Sequence, residues 1–439
     1  MHTLHVNNFG PLHQVDLEVT SMIFVLGEQA SGKSTLAKLI YFFRSVKNLL
    51  IENINEPGYE SWKDVRKAIV SSAKNRFTQI FGSTNMLGQF MVKYEYSSRE
   101  NTITISPSQD GRFLNLTLSQ NIINELRICW DVLNNNKNNP EEYSKNQPYF
   151  NKIRTSTVNA YILDRMNEIL DDDLYSIYVP AGRALLSLRN SILQLVTNYE
   201  LNRGILNNNK SYEVADLTMR SFMEEVEYAR NRLLFPAQVD ESLISNSKYF
   251  KYFDELSRSV LKSSYTPTKY GDFLKLDSEK SINLANASSG QQEIVWLLNI
   301  LKVLSMDTRK CLLFIEEPEA HLHPDAQYLV LKLVFAFCNY TKSHVILTTH
   351  SPYILSSINN LLYAHKVSDT LISASEVNNI IDSKSWIQPE GTKAYFLQNG
   401  VNIDIFDSEL SMIDMTLLDK VAACQDSEYD SMVKILKGR

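Results

Sequence analysis

Two short apolar runs frame the N-terminal part of the chain, at residues 3 to 6 and, as MIFVL, at 22 to 26. The second leads directly into GEQASGKSTLAKLIYFF, where apolar spacing changes from continuous to helical, predicting a strand, a loop and a helix. Between about 88 and 116, QFMVKYEY, NTITI and FLNL are alternating or β-rich and are separated by SSRE and SPSQDGR. This predicts an antiparallel meander, a small β subdomain. From roughly 117 to 265 the spacing is mostly helical, with asparagine-rich or polar breaks at 134–142, 206–210 and 245–248. Asparagine tolerates left-handed backbone and bonds its own chain, so these breaks read as loops. One strand interrupts the helices, YSIYVPAGR at 175–183, ended by a proline. From 311 onward CLLFIEE, a helix opening at Pro324 and then HVILTTHSP give strand, helix, strand, the pattern of parallel β/α architecture.

Composition narrows the class. A hydrophobic fraction of 44% with 21% charged residues is ordinary for a globular chain, and 439 residues suffice for two or three folding units. The balance of 44 basic against 50 acidic residues, a net charge of -6, supplies no global drive toward nucleic acid or an anionic membrane. Cys129, Cys311, Cys338 and Cys424 are far apart, which reads as reduced thiols in a reducing cytosol rather than a disulfide framework or zinc site. The N-terminus lacks the layout of an export signal and no run is long and apolar enough to span a bilayer, so a soluble cytoplasmic protein is expected.

Chemistry concentrates in three places. Gly27, Glu28, Gln29, Ala30, Ser31, Gly32, Lys33 and Ser34 match G-x-x-x-x-G-K-[ST] between a predicted strand and helix. Glycines let backbone N–H groups turn toward phosphates, the helix N-terminus adds a positive dipole end, Lys33 neutralises phosphate charge and the Ser34 hydroxyl suits Mg²⁺. Thr35 places a second hydroxyl near the α-phosphate. The second place is LLFIEEPEAHLHP, 312–324, which admits two readings. His321 and His323 could ligate a metal with glutamate support, although no third protein ligand completes the set. Alternatively, this is the acidic strand end of a nucleotide site, Glu316 addressing Mg²⁺ and Glu317 polarising the water that attacks the γ-phosphate. The third is NASSGQQEIVWLLNIL, 286–301, where Ser288, Ser289 and Gly290 open a helix: an anion-facing geometry, or an ordinary capped core helix.

The set GEQASGKST, ASSGQQE, LLFIEEPEAHLHP and ILTTHSP, in this order, resembles the ATP-binding-cassette type of ATPase. More narrowly it is similar to the soluble branch with SMC, RecF and Rad50-like heads. Within that branch it resembles the EEPE-x-HLHP group of overcoming-lysogenization-defect proteins and of anti-phage defence ATPases such as those of the Septu and PARIS systems. LHVNNFGPLHQVDLEV resembles that group's opening strand pair, and the likeness covers about 1–40, 175–190 and 280–410. It implies an α/β, ABC-type P-loop head with a mixed sheet, an antiparallel β subdomain and an inserted helical region. The units would be 1–116 with the phosphate loop, 117–270 as the mostly helical insertion, and 271–439 as the C-terminal lobe.

By the same resemblance, Ser288, Ser289, Gly290 and Gln291 belong to the signature that contacts the γ-phosphate of ATP held by a second protomer, so two ATPs would be sandwiched in a head-to-tail homodimer. His350 matches the switch histidine that senses the γ-phosphate, though a capped loop histidine is the plain alternative. Two departures stand out. Glu316 replaces the common aspartate, as in the EEPE group, and YVPAGR has Ala181 where transporters of this class carry a glutamine. Arg183 is then expected at a phosphate or at the other protomer, or else in a surface ion pair. The nuclease domain of overcoming-lysogenization-defect proteins carries a D-x-D pair; none follows His350, and KAYFLQNGVNIDIFDSELSMIDMTLLDKV resembles instead the segment that closes such ATPase domains. The implied function is a Mg²⁺-dependent ATPase that switches a separately encoded effector in bacterial defence; a DNA-binding ATPase of recombination or repair is the alternative.

Overall fold

The computed structural model describes residues 2–56, 58–97, 99–138, 148–184, 217–235, 247–276, 280–369, 374–416, 428–429 and 431–433; the expected break at 206–210 lies outside them. The strands are β1 (His2–Phe9), β2 (Leu12–Val19), β3 (Met22–Gly27), β4 (Met91–Glu95), β5 (Thr102–Pro107), β6 (Leu114–Leu118), β7 (Tyr175–Val179), β8 (Ser264–Thr268), β9 (Gly271–Lys275), β10 (Ser281–Asn283), β11 (Cys311–Glu316), β12 (His344–Thr348), β13 (Thr392–Gln398), β14 (Val401–Asp404), β15 (Phe406–Asp407) and β16 (Met412–Ile413). The helices are α1 (Lys33–Asn55), α2 (Trp62–Phe81), α3 (Gln120–Asn138), α4 (Pro148–Leu170), α5 (Leu217–Leu234), α6 (Lys248–Leu261), α7 (Ser289–Met306), α8 (Pro324–Thr341), α9 (Pro352–Ser368) and α10 (Ala374–Ile380).

The main sheet runs β6-β5-β4-β1-β2-β14-β13-β3-β12-β11-β7. Its β13-β3-β12-β11-β7 portion is parallel throughout, and the meander β4-β5-β6 joins it antiparallel through β1. The continuous apolar runs of the sequence have a direct cause. On β3, Ile23 and Val25 enter the core on one side, whereas Met22, Phe24 and Leu26 enter the core on the other. β11 divides likewise, Leu312 and Phe314 against Cys311, Leu313 and Ile315. A strand covered on both faces has no reason to alternate. Helix α1 is buried nearly all round, including Leu36, Leu39, Ile40, Phe42, Phe43 and Leu50, because α2, α3 and α4 wrap its outer side.

One local expectation is corrected, and one sheet was not foreseen. The stretch 134–138 is helical, since α3 continues to Asn138; asparagine disfavours a helix interior only weakly, and tertiary context overrides so small a preference. The antiparallel sheet β8-β9-β10 escaped sequence reading because its strands are short and half- to fully exposed, with Pro267 inside β8, leaving no period of two to detect. Cys129, Cys311 and Cys338 are free and buried. No helix among the described residues is long and apolar enough to cross a membrane.

A buried charge cluster anchors α1 at mid-length. The Arg44 guanidinium donates to Asp172 Oδ1 at 2.8 Å, and the Lys47 ammonium donates to the Asp172 carbonyl oxygen, just before β7 begins. Removing one partner of such a pair leaves buried charge without compensation. Asp172→Ala is expected to cost about 3–5 kcal/mol. The neighbouring exposed pair Asp173–Lys310 should cost under about 1 kcal/mol on Asp173→Ala. Urea denaturation of both variants checks the contrast.

Candidate active site

Because β3, β12, β11 and β7 are adjacent and parallel, their C-terminal ends form one row, where α/β sheets bind ligands. β3 delivers the phosphate loop, β12 delivers Thr349 and His350, β11 delivers Glu316 and Glu317, and β7 delivers Ala181 to Arg183.

The loop turns as its residue types dictate. Gly27 has φ 146 and Gly32 φ 103, and Ala30 also takes the left-handed region, φ 61. A Cβ on Gly27 would lie 2.4 Å from the Leu397 carbonyl oxygen of β13, so only glycine fits there. Gly32 caps α1 without a side-chain bond, which leaves the first N–H groups of the helix available to an anion. Gln29, Ala30, Ser31, Gly32, Lys33, Ser34 and Thr35, with Pro11, Glu317 and His350, line one cavity of about 210 Å³.

Lys33 is buried, and its ammonium donates to the carbonyl oxygens of Gly27 (2.9 Å) and Glu28 (2.7 Å). It also lies 3.3 Å from His350 Nδ1. Burial lowers the Lys33 pKa to about 8, against the opposing pull of Glu317 and Glu319. Burial, then Lys33, lowers that of His350. Glu317, half-buried, sits at φ 42 immediately past β11, and its N–H donates to the Thr348 carbonyl oxygen at 3.0 Å. A non-glycine residue held there is strained, and strain of this kind gathers at functional sites. Its carboxylate is 3.6 Å from His350 Nε2.

Glu316 stands behind this cavity, 5% exposed. The Tyr178 hydroxyl donates to its Oε1 at 2.6 Å and the Ala181 N–H to its Oε2 at 3.0 Å, so β7 orients this carboxylate. Sequence reading missed Tyr178; its place two residues before the proline in YVPAGR carried no chemical signal.

Arg183 departs from expectation. Its side chain is wholly buried, donating to the carbonyl oxygens of Pro180 (3.0 Å), Glu316 (2.7 Å), Glu317 (3.1 Å) and Glu293 (3.3 Å), with the Glu293 carboxylate 3.4 Å from Nε. It is neither a surface ion pair nor a group that a phosphate in the loop cavity can reach. Glu293, three residues past Gly290, is likewise a buried partner that sequence reading left without a role.

At the head of α7, Ser288 caps the helix and Gln291 completes a capping box, so the Gln291 amide is occupied: its oxygen accepts from Ser288 and its nitrogen donates to the Leu261 carbonyl oxygen at 2.6 Å. Ser288 and Ser289 are exposed, and none of Ser288 to Gln291 lines the phosphate-loop cavity. Gly290 is pressed against the loop after β11: a Cβ there would lie 2.5 Å from the His321 carbonyl oxygen. His321 takes φ 57, and His323 is the exposed N-cap of α8, its Nδ1 accepting from the Asp325 N–H. These two histidines serve the turn and the helix start.

The sequence profile of the AAA ATPase domain family matches residues 1–355. No curated protein matches the chain. Among solved structures, an SMC head bound to the C-winged helix domain of ScpA is similar at 14% identity and TM-score 0.41, over 92% of this chain and 96% of that one. The SMC head domain from Thermotoga maritima gives 11% and 0.34, over 92% and 97%. The recombination mediator protein RecF of the RecFOR pathway gives 12% and 0.34, over 92% and 97%.

The depressed Lys33 value has a measurable sign. The unfolded chain keeps that proton up to the ordinary lysine range, so between about pH 8 and 10 the unfolded state binds more protons and stability at this site rises with pH. In thermal melts without nucleotide, the wild type is expected to gain on Lys33→Met across that window; a constant difference would contradict it.

Proposed function

The chain belongs to the AAA ATPase domain family, and from that premise we propose an ABC-type ATPase of the SMC and RecF-like class in which two copies close head to tail on ATP. ATP is the substrate. The reading rests above all on one observation: the phosphate-loop cavity and the exposed turn Ser288–Ser289 are separate in a single chain. A serine turn at a helix N-terminus is fitted to an anion, and a second copy supplies one.

In this reading the triphosphate lies in the loop, where N–H groups and Lys33 meet its oxygens in place of the loop's own carbonyls. Glu317 accepts a hydrogen bond from the water that attacks the γ-phosphorus, and the bond from that phosphorus to the β-phosphate oxygen breaks to leave ADP and phosphate. His350, between Lys33 and Glu317, faces the γ-phosphate. The donors at hand, the Ser34 hydroxyl with the Glu317 and Glu316 carboxylates, are hard oxygens and fit Mg²⁺, which would neutralise phosphate charge; Ser34 would hold it, with Glu316 behind. Glu28, Gln29, Ala30, Ser31 and Thr35 complete the phosphate contacts.

The resemblance of EEPEAHLHP to the EEPE-x-HLHP group supports a further step: closure on ATP acts as a switch on a separately encoded effector, in bacterial anti-phage defence. Glu317→Gln is expected to lower turnover by about 10²–10⁴-fold while ATP still binds. Light scattering should then show an ATP-dependent dimer. Mixing Lys33→Ala with Ser289→Arg, each inactive alone, should restore turnover, because the mixed dimer keeps one intact composite site. No recovery together with no ATP-dependent dimer would sink the head-to-tail reading.

A further inference from the structure

One carboxylate of the acidic strand end has no part in the roles above. Glu319 points across to the turn after β12, where its Oε1 accepts two hydrogen bonds, from the Thr349 hydroxyl at 2.6 Å and from the His350 backbone N–H at 2.9 Å. Its Oε2 is buried with no hydrogen-bond partner among the described residues.

The turn it grips is tied at three further points. The Thr349 N–H donates to the Val25 carbonyl oxygen of β3 at 3.1 Å, and the Ser351 N–H donates to Thr349 Oγ1 at 3.0 Å. The Ser351 hydroxyl donates to Gln327 Oε1 at 2.8 Å. Thus the His350 N–H has Glu319 as its acceptor, and without it that amide loses its place in the turn.

What depends on this is the aim of the imidazole. Nδ1 faces the Lys33 ammonium at 3.3 Å, and Nε2 faces Glu317 at 3.6 Å. The ring also bonds the Gly27 backbone of the phosphate loop, so its aim sets which partner each nitrogen meets. Turning the ring or shifting the backbone would break that order.

We propose that Glu319 is a positioning residue: by accepting from the Thr349 hydroxyl and the His350 N–H, it fixes the turn that aims His350 between Lys33 and Glu317. Bonds to a carboxylate are shorter and stronger than neutral ones, which suits a clamp on a turn that must not drift. This deepens the reading of His350 as the phosphate-facing residue, and its effect on turnover rests on that reading.

The test compares ATP turnover in Glu319→Ala, Glu319→Gln, His350→Ala and the double variant Glu319→Ala/His350→Ala, with hydrogen exchange of the His350 amide in the same proteins. Glu319→Ala is expected to lower kcat at least about 10-fold with little change in KM, and the double variant to be no slower than His350→Ala. The amide should exchange about 10-fold faster or more in Glu319→Ala. Glu319→Gln keeps an acceptor oxygen and should restore both. Multiplying losses in the double variant, or an unchanged His350 amide in Glu319→Ala, would overturn the proposal. A Gln variant as impaired as the Ala variant would assign the effect to charge beside Lys33, and so would also overturn it. Should Glu319→Ala not fold, Thr349→Val, which removes one of the two bonds to Glu319 together with the Ser351 N–H bond to the same hydroxyl, takes its place in the same cycle, with Thr349→Ser as the control that keeps both. If His350→Ala turns over ATP at the wild-type rate, it is the reading of His350 that fails, and amide exchange alone decides the role of Glu319.

Discussion

Strand ends in a parallel sheet carry carbonyl groups that the ladder no longer satisfies, and at this site those groups lie in the interior. Arg183 answers that constraint. Its planar guanidinium gathers the carbonyl oxygens of Pro180, Glu316 and Glu317 and reaches Glu293, so the end of β7, the end of β11 and the head of α7 share one buried cation. A lysine could not replace it, because one ammonium lacks the spread of donors to reach all of them. The backbone on either side of Glu317 therefore has little freedom, which is how a non-glycine residue remains at φ 42.

From this fixed point the active arrangement is assembled by adjacency. β12 lies between β3 and β11, so the turn holding His350 falls between the phosphate loop and the acidic strand end. The lysine, the imidazole and the carboxylate then form a line across three strand ends, with spacings of 3.3 and 3.6 Å. Behind it Tyr178 and Ala181 of the β7 segment orient Glu316. At its other end, α1 carries the loop's helix back to Arg44 and Asp172, where β7 begins. Both the helix that follows the glycine loop and the strand that orients Glu316 thus start or pass through one buried ion pair.

Much of this was legible in residue order. Continuous apolar runs marked β3 and β11 as strands, and a strand, a glycine loop and a helix follow one another where the sequence predicts them, at β3 and α1. What could not be read was depth and distance. Arg183 stands after a proline turn, a place that looks exposed, and its partner Glu293 lies 110 positions away. Glu319 was visible within EEPE, yet the donors it accepts from belong to a turn 30 and 31 positions on, brought near only by the order of strands. The short strands β8 to β10 carried too little alternation to be seen, and the asparagines at 134–138 pointed to a loop where the helix simply continues.

The close approach of Gly290 to His321 has a consequence for how substitutions distribute. The contact is made by a backbone oxygen, so it places no demand on the imidazole of His321, only on its left-handed φ of 57. In a library of variants, position 290 would accept essentially glycine alone. Position 321 would be ranked instead by tolerance of left-handed backbone, with asparagine and glycine favoured and β-branched residues excluded. Two positions that touch would therefore carry independent sequence statistics, and a covariation map would leave blank one of the tightest contacts at the head of α7.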